Sequence, residues 1–149
     1  MTEITKIIRT ETGHRLTNYK GRCAHLHGHS YEWHVTVAGE ANNNGMVMDF
    51  KDLKEILKKT IDSLDHAFVM HTEDPILKIL GVNDTVDLFL STDGEAPRLH
   101  IVPFNPTVEN LVKWQFSVIQ NCLSPFKDIT LTSIKCWETA DSFCEVCNG

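Results

Sequence analysis

Histidines spaced two residues apart are the strongest chemical signal in this sequence of 149 residues. His27 and His29 flank Gly28, and residues two apart in an extended chain point to the same side. Their backbones would then lie about 6.6 Å apart, close enough for both imidazoles to bind one metal ion. An isolated His-x-His pair is more often a pair of surface or core histidines, so the hypothesis needs a third ligand.

Two other histidines are candidates for that third ligand. His25 is two residues before His27 and would point to the same side of an extended chain. Its backbone would lie about 13 Å from that of His29, however, which is too far for both rings to reach one ion easily through metal–nitrogen bonds of about 2.1 Å. A ligand from another strand is geometrically easier, and His14 is the best upstream candidate. Three neutral imidazoles with an open fourth position are typical of a catalytic rather than a structural zinc site.

Cys23 lies four residues before His27, the first histidine of the His-x-His pair. A zinc dication, together with the cationic Arg15, Lys20 and Arg22, would help a nearby thiol to lose its proton, and the thiolate could then act as a base. The alternative is that Cys23 is a small buried apolar residue, which is the commoner fate of a free cysteine.

Asp65 and His66 form a second acid–base element. A carboxylate can orient an imidazole, select its tautomer and raise its basicity. Adjacent Asp-His pairs also occur by chance, and at a helix end they are usually polar capping residues.

Two glutamates stand at the ends of predicted elements. Glu138 ends an apolar, β-branched strand, where a carboxylate needs a donor such as the N–H edge of a guanidine-like heterocycle. Glu109 follows Pro106 and Thr107 at a helix start, where a carboxylate interacts favourably with the helix dipole, so its default interpretation is structural.

Composition excludes several classes of protein. The net charge of -6 disfavours nucleic acid and anionic membranes as main partners, and no apolar run is long enough to span a bilayer. Five cysteines without an export signal favour reduced thiols in a cytoplasmic protein. Cys144 and Cys147 resemble half of a zinc ribbon, but no second Cys-x-x-Cys pair completes it.

Hydrophobic periodicity predicts an α+β fold in one domain over residues 1–149. Strands are predicted at residues 3–12, 31–38, 129–138 and 142–146. Helices are predicted at residues 49–64, with Asp49 as the N-cap, and at residues 106–123. Residues 71–104 form an insertion, with a short helix at 75–80 and strands at 86–90 and 99–102. The order ββααββ, with this insertion between the helices, predicts an antiparallel sheet with two helices on one face.

Six motifs in register resemble the 6-pyruvoyl-tetrahydropterin synthase family, and within it the bacterial 6-carboxytetrahydropterin synthase branch of queuosine (7-deazaguanine) biosynthesis. They are Gly13-His14-Arg15-Leu16, Cys23-x3-His27-Gly28-His29-Ser30-Tyr31, Gly45-Met46-Val47-Met48-Asp49-Phe50, Leu64-Asp65-His66, Asn105-Pro106-Thr107-Val108-Glu109-Asn110 and Glu138-Thr139.

The resemblance implies the tunnelling fold, or T-fold, whose ββααββ subunits assemble as trimers stacked into a hexamer with active sites at subunit interfaces. It implies a lyase acting on 7,8-dihydroneopterin triphosphate, with loss of triphosphate and acetaldehyde to give 6-carboxy-5,6,7,8-tetrahydropterin. Two alternatives stay open: a synthase that stops at 6-pyruvoyl-tetrahydropterin, and a noncatalytic zinc- or pterin-binding module.

The resemblance also assigns roles residue by residue. Zinc would be held by His14, His27 and His29. Cys23 would abstract the proton, and Asp65 and His66 would complete a proton relay that could come from a neighbouring subunit. Glu138 would anchor the pterin ring with help from Thr107, and Glu109 is a further substrate-binding candidate. Our own candidates for binding the triphosphate are Arg15, Lys20 and Arg22, although a solvated loop explains the same residues equally well.

Overall fold

The computed structural model describes residues 1–80 and 98–149, and the strand predicted at residues 86–90 lies outside them. The elements of the described residues are β1 (Thr2–His14), β2 (His27–Gly39), α1 (Phe50–Lys59), β3 (Ala67–His71), α2 (Ile76–Ile79), β4 (Leu99–Val102), α3 (Val108–Leu123), β5 (Thr130–Thr139) and β6 (Ser142–Cys147). Short 3-10 helices occur at Arg22–Ala24 and Ile61–Leu64. None of the described helices is long and apolar enough to cross a membrane.

The strands form one mixed sheet in the order β4-β3-β1-β2-β5-β6. The four predicted strands β1, β2, β5 and β6 pair antiparallel, as expected. β3 was not predicted as a strand, and both β3 and β4 run parallel to β1, so the expectation of a purely antiparallel sheet was wrong. The reason is topological: β2 runs antiparallel to β1, and after α1 the chain reverses again into β3 on the far side of β1. β3 is therefore antiparallel to β2 and parallel to β1.

Alternation along β2 separates the two faces of the sheet. Tyr31, Trp33, Val35 and Val37 are completely buried, whereas the residues between them are half-buried and point to the opposite face. The buried face packs against α1 and α3, which makes the two-layer α+β arrangement expected from the sequence. We call the other face, which carries no helix in the described part of the chain, the open face.

The first predicted helix is shorter than expected. Asp49 caps α1 by accepting a 2.8 Å hydrogen bond from the Lys51 amide, as predicted. The helix ends at Lys59 rather than near residue 64. At this end the Thr60 hydroxyl donates to the Ile56 carbonyl at 2.9 Å, and the chain continues as the 3-10 helix Ile61–Leu64.

The second predicted helix and the last two strands are confirmed to within two residues. The alternation of β5, which slips between Leu131 and Ile134, has a structural cause. Thr36 of β2 pairs with Ser133 while Val37 pairs with Leu131, so Thr132 is the extra residue of a β-bulge.

Candidate active site

The register of the first hairpin brings together histidines that are distant in sequence. His14, the last residue of β1, pairs directly with His27, the first residue of β2, and Thr12 pairs with His29. All three histidines therefore lie on the helix-covered face. Gly13 and Gly28 face each other between them, and a Cβ on Gly13 would lie 2.7 Å from the Phe68 ring, so this position has no room for a side chain.

The three imidazoles converge through their Nε2 atoms. The distance between the Nε2 atoms of His14 and His27 is 3.0 Å, and that between His27 and His29 is 3.1 Å. One ligand atom from each residue can be chosen so that all lie within 4.8 Å of one another. In the described residues this is the one group of three or more potential ligands that meets such a criterion.

Backbone carbonyls fix the orientation of two of the rings. Nδ1–H of His14 donates to the Pro106 carbonyl at 2.7 Å, and Nδ1–H of His27 donates to the His25 carbonyl at 2.7 Å. Because a carbonyl can only accept, Nδ1 carries the proton and Nε2 keeps its lone pair. His25, the rival ligand, thus contributes its backbone to the site, while its ring is not in the cluster.

Burial keeps the innermost ring uncharged. Desolvation lowers the pKa of His14 to about 4, and the neighbouring His27 and His29 oppose its protonation further. Burial also lowers the pKa of His29, although the Glu138 carboxylate acts in the opposite direction. Neutral imidazoles whose lone pairs point at each other repel unless a cation lies between them, so this donor set fits a divalent metal ion.

Tyr31 and Glu138 stand beside the triad. Glu138 Oε1 lies 3.9 Å from His29 Nε2, and the Tyr31 hydroxyl donates to Glu138 Oε2 at 3.4 Å. The same hydroxyl lies 3.3 Å from His14 Nδ1. Burial raises the pKa of the Tyr31 phenol far above its usual range, and Glu138 raises it further, so the phenol stays protonated.

Cys23 lies in the 3-10 helix Arg22–Ala24, in the loop that joins β1 to β2. Its side chain is a half-buried free thiol. Cys23 is also one of the weaker contributors, after burial and Glu138, to the raised pKa of Tyr31. The Cys23 carbonyl accepts a 2.8 Å hydrogen bond from the Leu16 amide, two residues after His14.

Asp65 and His66 form the expected pair, but at a different surface. Asp65 Oδ2 accepts from His66 Nδ1 at 2.9 Å, and Oδ1 accepts from the Glu11 amide at 2.8 Å. The Glu11 hydrogen bond, followed by the one from His66, lowers the pKa of Asp65. The His66 side chain is 79% exposed, and among the described residues no hydrogen bond joins it to Cys23 or to the triad.

His66 borders a cleft of about 480 Å³. Phe68, Gly28 and Ser30 also line this cleft, and strand alternation assigns Ser30 and Phe68 to the open face. His27 and His29 border the same cleft. The Asp65–His66 pair is therefore reached from the open face, whereas His14 is buried on the helix-covered face.

Thr107 and Glu109 occupy the start of α3. The Thr107 hydroxyl accepts from the Asn110 amide at 3.3 Å, so Thr107 is the N-cap of the helix. Glu109 is exposed in the first turn of α3. The pKa of Cys144 is raised mainly by burial of its thiol and next by the negative charge of Glu109. Both residues have the structural contacts expected at a helix start, and their predicted contact with substrate stays a prediction.

The basic residues of the loop differ in their surroundings. Arg15 Nε donates to Asp74 Oδ2 at 2.8 Å, and Arg15 Nη1 donates to the Ala24 carbonyl at 2.7 Å. Lys20 and Arg22 are exposed. Of the three candidates for the triphosphate, Arg15 is thus already engaged within the chain.

Two contributions to the site were missed by the sequence analysis. Tyr31 was interpreted only as a buried strand residue. It follows His29 by two residues and His27 by four, so alternation along the strand indicated that all three side chains lie on the same face. The Pro106 carbonyl orients His14, and no side-chain pattern could have revealed a backbone acceptor. Cys144 and Cys147, in contrast, point to opposite faces of β6, which argues against a shared metal ion.

Comparison with known proteins gives matches over nearly the whole chain. Residues 3–148 match the profile of the 6-pyruvoyl tetrahydropterin synthase family. A 6-carboxy-5,6,7,8-tetrahydropterin synthase of Haemophilus influenzae is 35% identical, over 97% of this chain and 98% of that protein. Proteins of the same name are 32% identical in Aquifex aeolicus (96% of each chain) and 30% identical in Rickettsia conorii (98% of this chain, 100% of that protein).

Solved structures agree on the fold. An uncharacterized protein of Wolinella succinogenes superposes with a TM-score of 0.82 at 22% identity, covering 99% of this chain and 98% of that one. The 6-pyruvoyl tetrahydropterin synthase of Caenorhabditis elegans superposes with a TM-score of 0.67 at 20% identity, covering 99% of this chain and 96% of that one. At these identities the likeness supports the T-fold and not a particular reaction.

Proposed function

We infer that this chain, which belongs to the 6-pyruvoyl tetrahydropterin synthase family, is a 6-carboxy-5,6,7,8-tetrahydropterin synthase and therefore a lyase that acts on a pterin. The observation that carries this inference is the convergence of His14, His27 and His29 beside Glu138. In a chain with near full-length relatives of that name, this arrangement supports a metal site beside an acidic anchor, and the half-buried thiol of Cys23, in the loop between His14 and His27, is the candidate base.

The metal ion is zinc in this proposal. Three neutral histidines suit zinc and leave a coordination position open for substrate. Zinc at this site would supply Lewis acidity toward a substrate hydroxyl or carbonyl oxygen, which acidifies the neighbouring C–H bond. The carbonyls of Pro106 and His25 hold the rings of His14 and His27 in the tautomer that such binding requires.

Each remaining residue has a role in binding or proton transfer. Glu138 accepts hydrogen bonds from the N–H edge of the pterin, with Thr107 and Glu109 as further candidates to contact the substrate. Cys23 removes the proton, and His66, oriented by Asp65, returns protons during the reaction. Arg15, Lys20 and Arg22 stay candidates for the triphosphate, and the engagement of Arg15 with Asp74 favours the other two for direct contact.

The functional unit is an oligomer, which we propose to be a hexamer of two stacked trimers. Within the described residues, β4 and β6 are the edge strands of the sheet, and an edge strand can pair with another chain. His66 is exposed at the cleft that His27 and His29 also border, and among the described residues no hydrogen bond joins its side chain to the triad; in this proposal a partner subunit presents its own His66 to this site. Light scattering of the purified protein measures the assembly directly.

A product analysis tests the proposed reaction. Purified zinc-loaded protein is incubated with 7,8-dihydroneopterin triphosphate, and the products are identified by mass. We expect 6-carboxy-5,6,7,8-tetrahydropterin, triphosphate and acetaldehyde. Release of triphosphate without acetaldehyde would assign the chain to 6-pyruvoyl-tetrahydropterin formation, and binding without turnover would make it a noncatalytic module. A Cys23→Ala variant is the control, because it should bind substrate and zinc but not turn over.

A further inference from the structure

A completely buried carboxylate lies where the 71–104 insertion begins. The side chain of Asp74 has 0% exposure, and its Oδ2 accepts the 2.8 Å hydrogen bond from Arg15 Nε. Its Oδ1 accepts from the Ile76 amide at 3.0 Å, at the start of α2. Burying a charged group is costly unless it is paired and hydrogen-bonded, so this contact constrains both Asp74 and Arg15.

Arg15 uses its second donor to hold the loop that carries Cys23. While Nε binds Asp74, Nη1 donates to the Ala24 carbonyl at 2.7 Å. The preceding carbonyl, that of Cys23, accepts from the Leu16 amide. The two residues that follow His14 therefore hold the carbonyls of Cys23 and Ala24.

Among the described residues, the other hydrogen bonds that hold the Cys23 loop from outside lie to either side of Cys23. Asn105 binds the backbone and hydroxyl of Thr17, and the His25 carbonyl accepts from His27 Nδ1. The 3-10 helix Arg22–Ala24 has three residues, none of them fully buried, and its N-cap residue, Gly21, has no side chain with which to cap it. Residues 18–22 before Cys23 and residues 25–26 after Ala24 are exposed. So short a helix is not stable by itself, and its position depends on contacts from outside the loop.

We propose that Asp74 and Arg15 act as positioning residues that hold the Cys23 thiol at the metal site. This inference rests on the role of Cys23 as the base in the proposed function. Asp74 orients the guanidinium, the guanidinium holds the Ala24 carbonyl, and the thiol is thereby kept next to the triad. One contribution of the insertion is then to supply the carboxylate that orients Arg15.

This role differs from direct contact between Arg15 and a phosphate group. A lysine keeps the positive charge that a phosphate needs, but its single ammonium group lacks the planar fork by which Arg15 spans Asp74 and Ala24. Arg15→Lys should therefore be nearly as harmful as Asp74→Asn if the two residues position Cys23. If Arg15 serves only as a cation for the triphosphate, Arg15→Lys should mainly raise KM.

The test combines thiol reactivity with kinetics on the zinc-loaded protein. Cys23 alkylation by iodoacetamide is followed without substrate by peptide mass spectrometry, with the exposed Cys122 as internal reference. We expect Asp74→Asn and Arg15→Lys each to change the Cys23 rate several-fold without altering the Cys122 rate or the zinc content. We expect kcat to fall by about tenfold or more with little change in KM, because a small misplacement of a catalytic group is costly.

A matched variant and a second substitution keep the test decisive. Arg9→Lys changes another ion-paired arginine, bound to Glu32 on the open face, and should leave both readouts as in the parent. If Asp74→Asn does not fold, Arg15→Lys decides alone. An unchanged Cys23 rate with unchanged kcat, or a change in KM only, would overturn the proposal. Absence of product with the parent protein would instead refute the proposed function, and alkylation would still report on Cys23.

Discussion

The triad and the Asp65–His66 pair contain similar side chains in opposite environments. His14 is 1% exposed, and its ring is held by the Pro106 carbonyl, in the segment before α3. The His66 side chain is 79% exposed, and its ring bonds to Asp65, its own neighbour in sequence. The first arrangement is complete within one chain. The second is an exposed imidazole oriented by Asp65, and the proposed function assigns it to a substrate bound partly by another subunit.

The largest effect is expected at the triad. His27→Ala removes the central ligand, whose Nε2 lies within 3.1 Å of both others, so bound zinc and activity should both be lost. Zinc per chain by elemental analysis and product formation are the measurements. His25→Ala is the matched control, because His25 contributes only its carbonyl and should keep both properties. An active, zinc-replete His27→Ala protein would exclude this metal site.

The next largest effect is expected at the exposed pair. His66→Ala should lower kcat by about 10²- to 10⁴-fold, the usual contribution of a general acid or base. Zinc content and melting temperature should stay unchanged, because the side chain is exposed. The measurements are steady-state kinetics, elemental analysis and thermal unfolding.

Mixing two inactive variants tests whether the triad side of a site and its Asp65–His66 pair come from the same subunit. Cys23→Ala and His66→Ala chains are unfolded together, refolded as mixed oligomers and assayed. Partial recovery of activity is expected if Cys23 and His66 of one site come from different subunits. No recovery, in mixtures whose assembly is verified by mass, would mean that each chain uses its own pair.

A smaller effect is expected at Glu138. Glu138→Gln should weaken pterin binding by about 10- to 150-fold, because a hydrogen bond to a charged group contributes about 1.5–3 kcal/mol. Calorimetric titration with a pterin measures the change in Kd. Glu145→Gln is the control, since Glu145 pairs with Lys135 on the open face and should leave affinity unchanged. Equal affinities for both variants would remove the anchoring role from Glu138.

The smallest effect is expected at Thr107. Loss of the N-cap in Thr107→Ala should cost about 1 kcal/mol, or about 2–4 °C in melting temperature. Thermal unfolding measures it, with Ser117→Ala on the exposed side of α3 as the control. A rise in KM in addition to the lower stability would support the predicted contact of Thr107 with substrate, and an unchanged KM would restrict Thr107 to capping.

Particular residues explain which parts of the fold were predictable. The alternation of β2, the N-cap Asp49 and the helix start at residues 106–109 are local signals, and the elements they predict are present. β3 was missed because its five residues acquire strand geometry by pairing with β1 on one side and β4 on the other. α1 was predicted too long because the helical spacing of apolar residues continues through Ile61 and Leu64. The α-helix itself ends at Lys59, and these two residues belong to the 3-10 helix that follows.

The sequence alone determined the chemical content of the site: which histidines can bind a metal, which thiol and carboxylates stand near them in the chain, and which strands and helices carry them. Those properties follow from residue type and from spacing within one element. Tertiary structure decided that His14 meets His27, that Pro106 orients the first ring, that Arg15 binds Asp74, and that His66 faces the open side. These contacts depend on strand register and on the crossover through α1, which are set by packing between segments far apart in the chain.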